Sequence, residues 1–121
     1  MVVSRSGSIV RVPKRNADAY RRMAPKSSKV WREHGALEFR EGIADDVKRG
    51  QYTSFPRSVK LKANKVVWFS WIVYKSRKHR DRVNAKVMKD PPPRCHDGRQ
   101  KSMPFDGKRV IYGGFKVDVS M

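Results

Sequence analysis

The chain has 121 residues, with 29 Lys or Arg against 11 Asp or Glu, and a formal net charge of +18. Hydrophobic residues at 38% beside charged residues at 33% describe one folded domain spanning 1–121 rather than a disordered tail. No apolar run reaches the length of a membrane span or signal peptide, and the single cysteine, Cys95, excludes an intrachain disulfide and a cysteine-based zinc site; a cytoplasmic location is expected.

SIVRVP, Ser8 to Pro13, predicts a short first strand closed by proline. Asn16 is placed to cap a helix with Asp18 in its first turn, and Ala17, Tyr20, Ala24, Val30 and Trp31 follow helical spacing up to a stop at Gly35. Pro25 lies inside that pattern and predicts a kink or break near Arg21 to Pro25. In ALEFREGIADD, Leu37, Phe39, Glu41 and Ile43 alternate with other residues as in a second strand, with a carboxylate, Glu41, on the apolar parity. Residues 46–65 carry turn chemistry and predict an irregular excursion, with SVKLK as a short alternating run.

VVWFSWIVY, Val66 to Tyr74, predicts the third strand. Val67, Phe69, Trp71 and Val73 point to one face, and Val66, Trp68, Ser70, Ile72 and Tyr74 to the other. Ser76 then caps a second helix through about Lys89, buried at Val83 and Val87, with Arg77 and Asp81 spaced for an exposed ion pair. DPPPRCHDGRQKSMPFDGKR, within an irregular excursion at about 90–108, excludes a regular helix or central strand. VIYGGFKVDV returns as the last strand, where Gly113 and Gly114 predict a bulge, bend or close backbone approach. The order βαββαβ predicts an α+β, ferredoxin-like fold with a four-stranded antiparallel sheet. Both helices then cover one face, while the third strand is apolar on both. The open face, with Trp and Phe upon it, exceeds what a soluble surface tolerates, so a two-fold homodimer through this face is expected.

The succession NADAYRRM, WREHGALEFRE, ADDV, TSFP, VVWFSWIVYKSRKHRDRVNAKVMKDP and MPFDGKRVIYGGF resembles the YbaA-like family of uncharacterised bacterial proteins, from about Pro13 to Phe115. The resemblance implies a dimeric α/β barrel built from two ferredoxin-like sheets and implies no established activity. Asp45 and Asp46, the Thr53 to Pro56 turn, Asp81, Asn84 and the closing signature, which includes Asp106, Arg109 and Tyr112, match the family pattern. Ser6-Gly7-Ser8 departs from its Asp-Gly-Phe start, as do Pro25 and PPPRCHDG.

Glu41 is the foremost catalytic candidate: desolvation between helices and sheet, or between paired sheets, favours a protonated carboxyl suited to acid or base work. The alternative is a structural carboxylate held by Arg109, Lys108 or a tyrosine. His34, at the helix end, is a second candidate, equally explained by the helix dipole. Trp71, Asp106, Arg109 and Tyr112 are the candidate cavity or signature residues, with Asp106-Gly107 reading first as a turn. Asp45 and Asp46, adjacent in an extended chain, point apart and do not make a facing acid pair. The histidines His34, His79 and His96 are scattered and no phosphate or dinucleotide loop is present, so no metal or cofactor is expected. The reading is a homodimer of unknown activity that binds a small aromatic molecule in an aromatic-lined cavity. A cofactor-free oxygenase or isomerase, by analogy with related barrels, and salt-dependent RNA or other nucleic-acid binding along basic helices are its rivals.

Overall fold

A computed structural model describes residues 3–89 and 105–120. The chain runs through β1 (Ser4–Pro13), α1 (Ala17–Glu33), β2 (Glu38–Ile43), a one-turn helix α2 (Phe55–Ser58), β3 (Lys65–Tyr74), α3 (Arg77–Met88) and β4 (Ile111–Lys116). The four strands form one sheet in the order β2-β3-β1-β4, every neighbouring pair antiparallel. The ferredoxin-like expectation holds, because the apolar periods switch from two to 3.6 at the points where the chain must cross the sheet.

β1 is longer than its apolar signal. Pairing with β3 and β4 carries it back through the polar stretch Ser4–Ser8. α1 runs unbroken through Pro25, so the expected break does not occur; Pro25 is exposed, and tertiary packing of Tyr20, Met23 and Val30 on the sheet side holds the helix together despite the missing amide. Asn16 occupies the N-cap position without a side-chain cap bond. The helix stops where Gly35 takes φ +117°, a conformation that favours glycine.

Within the 46–65 excursion SVKLK forms no strand. Instead the Ser54 hydroxyl caps α2 by accepting the Arg57 amide at 3.2 Å, with Pro56 in the first turn, because Ser followed by proline two residues on suits a helix start better than a ladder. α3 begins as expected, with the Ser76 hydroxyl accepting the His79 amide at 3.1 Å. Asp81 pairs with Arg80 rather than Arg77. The Pro-rich segment 90–104, with Cys95 and His96, lies outside the described residues.

α1 and α3 cover one face of the sheet. Val10, Val12, Tyr20, Met23 and Trp68 form one buried cluster there, and Val30, Ala36, Tyr74, Val83 and Val87 a second. The opposite face carries Val67, Phe69, Trp71 and Val73, as their parity predicts, and α2 covers its end, with Phe55 against Phe69 at 6.3 Å.

Candidate functional site

The two sheet faces present different chemistry. On the helix side, register places Glu41 opposite Ser70, Ser70 opposite Ser8, and Ser8 opposite Tyr112, a polar row across all four strands between the two apolar clusters. The Tyr20 hydroxyl donates to Glu41 Oε1 at 2.9 Å, and Ser8 and Ser70 hydrogen-bond to each other. Tyr20 in turn packs on Trp68 at 4.7 Å and on Phe105 at 5.7 Å. Burial raises the Glu41 pKa, the Tyr20 bond opposing the rise only in part, and burial with the neighbouring carboxylate raises that of Tyr20. Glu41 Oε2 and Trp68 Nε1 are buried without a hydrogen-bond partner among the described residues. Of the partners expected for Glu41, the tyrosine holds it; Arg109 and Lys108 do not.

The open face is apolar. A hollow of about 560 Å³ lies over the middle of β1, where Gly7 pairs with Trp71 on one side and Gly113 on the other. Its walls are Ile9, Phe69, Trp71, Ile111 and Phe115, with Arg5 at one end. The two paired glycines let the rings close in: a Cβ on Gly7 would touch Phe115 at 3.6 Å and Phe69 at 4.0 Å, and one on Gly113 would touch Phe115 at 3.9 Å. Phe69 and Phe115 remain 40% and 65% exposed, which no soluble surface needs of large apolar side chains. Arg40 and Glu38, paired to each other, share this face on the β2 edge.

The sheet therefore separates the candidate residues. Trp71 belongs to the hollow. Glu41 lies on the helix-side row; Tyr112, at the β4 edge and 81% exposed, ends that row and also borders the hollow. His34 is the C-cap of α1, away from both. Asp106 closes its own turn, accepting the Lys108 amide at 3.0 Å, and Arg109 ends the 3-10 turn Gly107–Arg109 before β4. Asp45 and Asp46 are exposed in the loop after β2.

Two residues escaped the sequence reading. Arg11 sits on the open-face parity of β1, buried at 4% exposure, and donates through Nη1 to the carbonyls of Val59 at 2.9 Å and Lys60 at 3.3 Å. It ties the α2 excursion over the end of this face. An arginine within an apolar alternation was the available signal. His79 Nδ1 accepts the Lys75 amide at 2.9 Å, and its other nitrogen faces Gly35, joining the start of α3 to the end of α1. Its pKa is lowered, by burial first and then by Lys75 and Arg82. Among the described residues no cluster of three or more His, Cys, Asp or Glu could hold a metal ion, and no helix is long and apolar enough to cross a membrane.

Fold and sheet order make this an α+β protein of the ferredoxin-like class. Residues 5–107 match the family described as "Protein of unknown function (DUF1428)", and the chain belongs to that family. Over 110 residues it is 47% identical to proteins of Escherichia coli strain K12 and Shigella flexneri, each named uncharacterized protein YbaA, covering 91% of this chain and 92% of theirs. A solved structure from Bacillus cereus, named as a candidate antibiotic biosynthesis monooxygenase, shares the fold with a TM-score of 0.55 at 10% identity, over 99% of this chain and 94% of that one.

Proposed function

We propose that this is a cytoplasmic homodimer, assembled through the open sheet face, that binds a small aromatic molecule in the glycine-floored hollow. The hollow itself carries the reading. Phe69, Trp71 and Phe115 line a concave apolar site, with the rings of Phe69 and Phe115 drawn in over the paired Gly7 and Gly113. A flat ring fits that recess by offset stacking, and a second sheet laid across it excludes water. Arg5, at one end of the recess, suits an oxygen anion on the ring's edge.

Binding is favoured over acid–base chemistry at this place. Glu41 lies on the opposite face of the sheet with one oxygen engaged by Tyr20, so it does not reach a molecule in the hollow. The monooxygenase neighbour shares the fold alone at its level of identity, and fold is a weak warrant for reaction.

Sedimentation equilibrium tests the assembly: twice the 14.0 kDa chain mass is expected, and a 14.0 kDa species at tens of micromolar refutes it. Titration with naphthoquinone or a naphthol should quench tryptophan fluorescence through Trp71. Gly113→Val fills the floor and is expected to abolish quenching while leaving a folded protein by circular dichroism. Equal quenching in that variant would move the ligand elsewhere.

A further inference from the structure

We infer that the cleft where the first turn of α3 leans over the end of β4 binds the phosphate group of a small phosphate monoester, held by Arg77, Arg80 and Lys116. The inference does not rest on the proposed hollow, which this cleft adjoins at Phe115. Ser4 pairs with Lys116 and with Tyr74, which places it at the far end of the helix-covered face.

The cleft has a volume of about 680 Å³ and is lined by three cationic side chains together with Ser4, Ser76, Gly114 and Phe115. Among the described residues no carboxylate lines it. Asp81 is engaged by Arg80, which donates to its Oδ1 from Nε at 3.2 Å and Nη2 at 3.0 Å. Among the described residues no acid pairs with Arg77 or Lys116. Arg77 and Lys116 gathered in a concavity repel one another and focus a positive potential into it, and a multiply charged anion there relieves that repulsion while accepting from the Nη1 of Arg80.

Arg80 is placed in advance. Its side chain is only 19% exposed and lies across Gly114, where an added Cβ would collide with Nη1. Nη1 takes no part in the Asp81 bonds. A glycine on β4 is thus what admits the guanidinium to the cleft, and a guanidinium held on a rigid strand loses little freedom on binding an oxyanion. The site rests on these side chains and not on the helix terminus, since the amides of His79 and Arg80 are already bonded to Ser76. Two cations without an acid partner among the described residues, with the Nη1 donor of Arg80 beside them, favour a dianion over a monoanion, and the cleft's volume leaves room for the body of a small organic phosphate beside its phosphate.

Isothermal titration at low ionic strength with phenyl phosphate, and with benzenesulfonate as the monoanionic control of like shape, tests the assignment. Saturable binding of phenyl phosphate and weaker binding of the sulfonate are expected. Arg77→Gln and Lys116→Gln, both at exposed side chains, should each weaken the phosphate by about tenfold, the scale of one lost charge-assisted hydrogen bond. Gly114→Ala should weaken it comparably by displacing Arg80. Lys48→Gln, which removes the same charge far along the chain, should change affinity by less than about twofold. No saturable binding, or an equal loss in Lys48→Gln, overturns the site and assigns the attraction to net charge alone.

Discussion

Glu41 ties helix to sheet through a single side-chain bond. Its carboxyl meets the Tyr20 hydroxyl inside the layer between α1 and the sheet, where burial disfavours the charged form. A carboxyl whose folded pKa is raised contributes most below its ordinary range, and that contribution is lost as pH rises through the raised value. Glu41→Gln keeps an acceptor for Tyr20 and removes the cost of ionisation. Its melting temperature at pH 7 should exceed that of the natural chain by a few degrees, with the difference gone near pH 4. A lower melting temperature at both pH values would contradict this reading. His79 has the opposite sign. Its lowered pKa means that stability is present above the ordinary imidazole range and declines as pH falls through it, when protonation of Nδ1 breaks the bond from the Lys75 amide. Melting curves from pH 7.5 to 5 should fall more steeply for the natural chain than for His79→Gln. Parallel curves would remove His79 as the cause.

At the scale of elements, α1 tolerates Pro25 because one of its faces is anchored by Tyr20, Met23 and Val30 while Pro25 itself stays exposed. Pro25→Ala restores an amide donor to the carbonyl of Arg21 and is expected to stabilise the protein by about 2 kcal/mol in urea unfolding. No gain would mean that the helix is already distorted to suit the ring. β2 was legible from alternation, and β3 as an apolar run bounded by polar residues. β1 was legible only in its second half, since Ser4 to Ser8 carry no apolar pattern and become strand because β3 and β4 offer them ladder partners on both sides. α2 was missed for a related reason: one turn of helix has no period to detect, and only the Ser54 cap and Pro56 announce it.

For the whole molecule, charge and grease are segregated. Arg21, Arg22, Lys26, Lys29, Arg32, Lys78, Arg82 and Lys86 lie on the helix layer, while the open sheet face is apolar at its centre. A homodimer through that face brings two chains of charge +18 together with the helix layers outward, so added salt should tighten assembly by screening their repulsion. Attraction to nucleic acid along the helices should weaken in the same salt series. Sedimentation and oligonucleotide anisotropy, each run from low to high salt, should therefore move in opposite directions. Substituting Trp71 by Asp places a charge in the apolar face and should shift the dimer to monomer, with far-ultraviolet circular dichroism retained.

The sequence by itself determined the order of elements, the two parities of β3, the cap of α3 and the presence of a carboxylate on the apolar parity of β2. Those are local matters of period, turn chemistry and capping, and nearby residues settle them. Tertiary structure alone decided which residues share a place. Register set Gly7 against Gly113 to make a hollow, aligned Glu41 with Ser70, Ser8 and Tyr112, and put the hollow and that row on opposite faces of one sheet. Packing chose Tyr20 as the partner of Glu41 and laid Arg80 over Gly114. Such juxtapositions join residues dozens of positions apart, and no periodicity along a single strand or helix carries information about its neighbour's register.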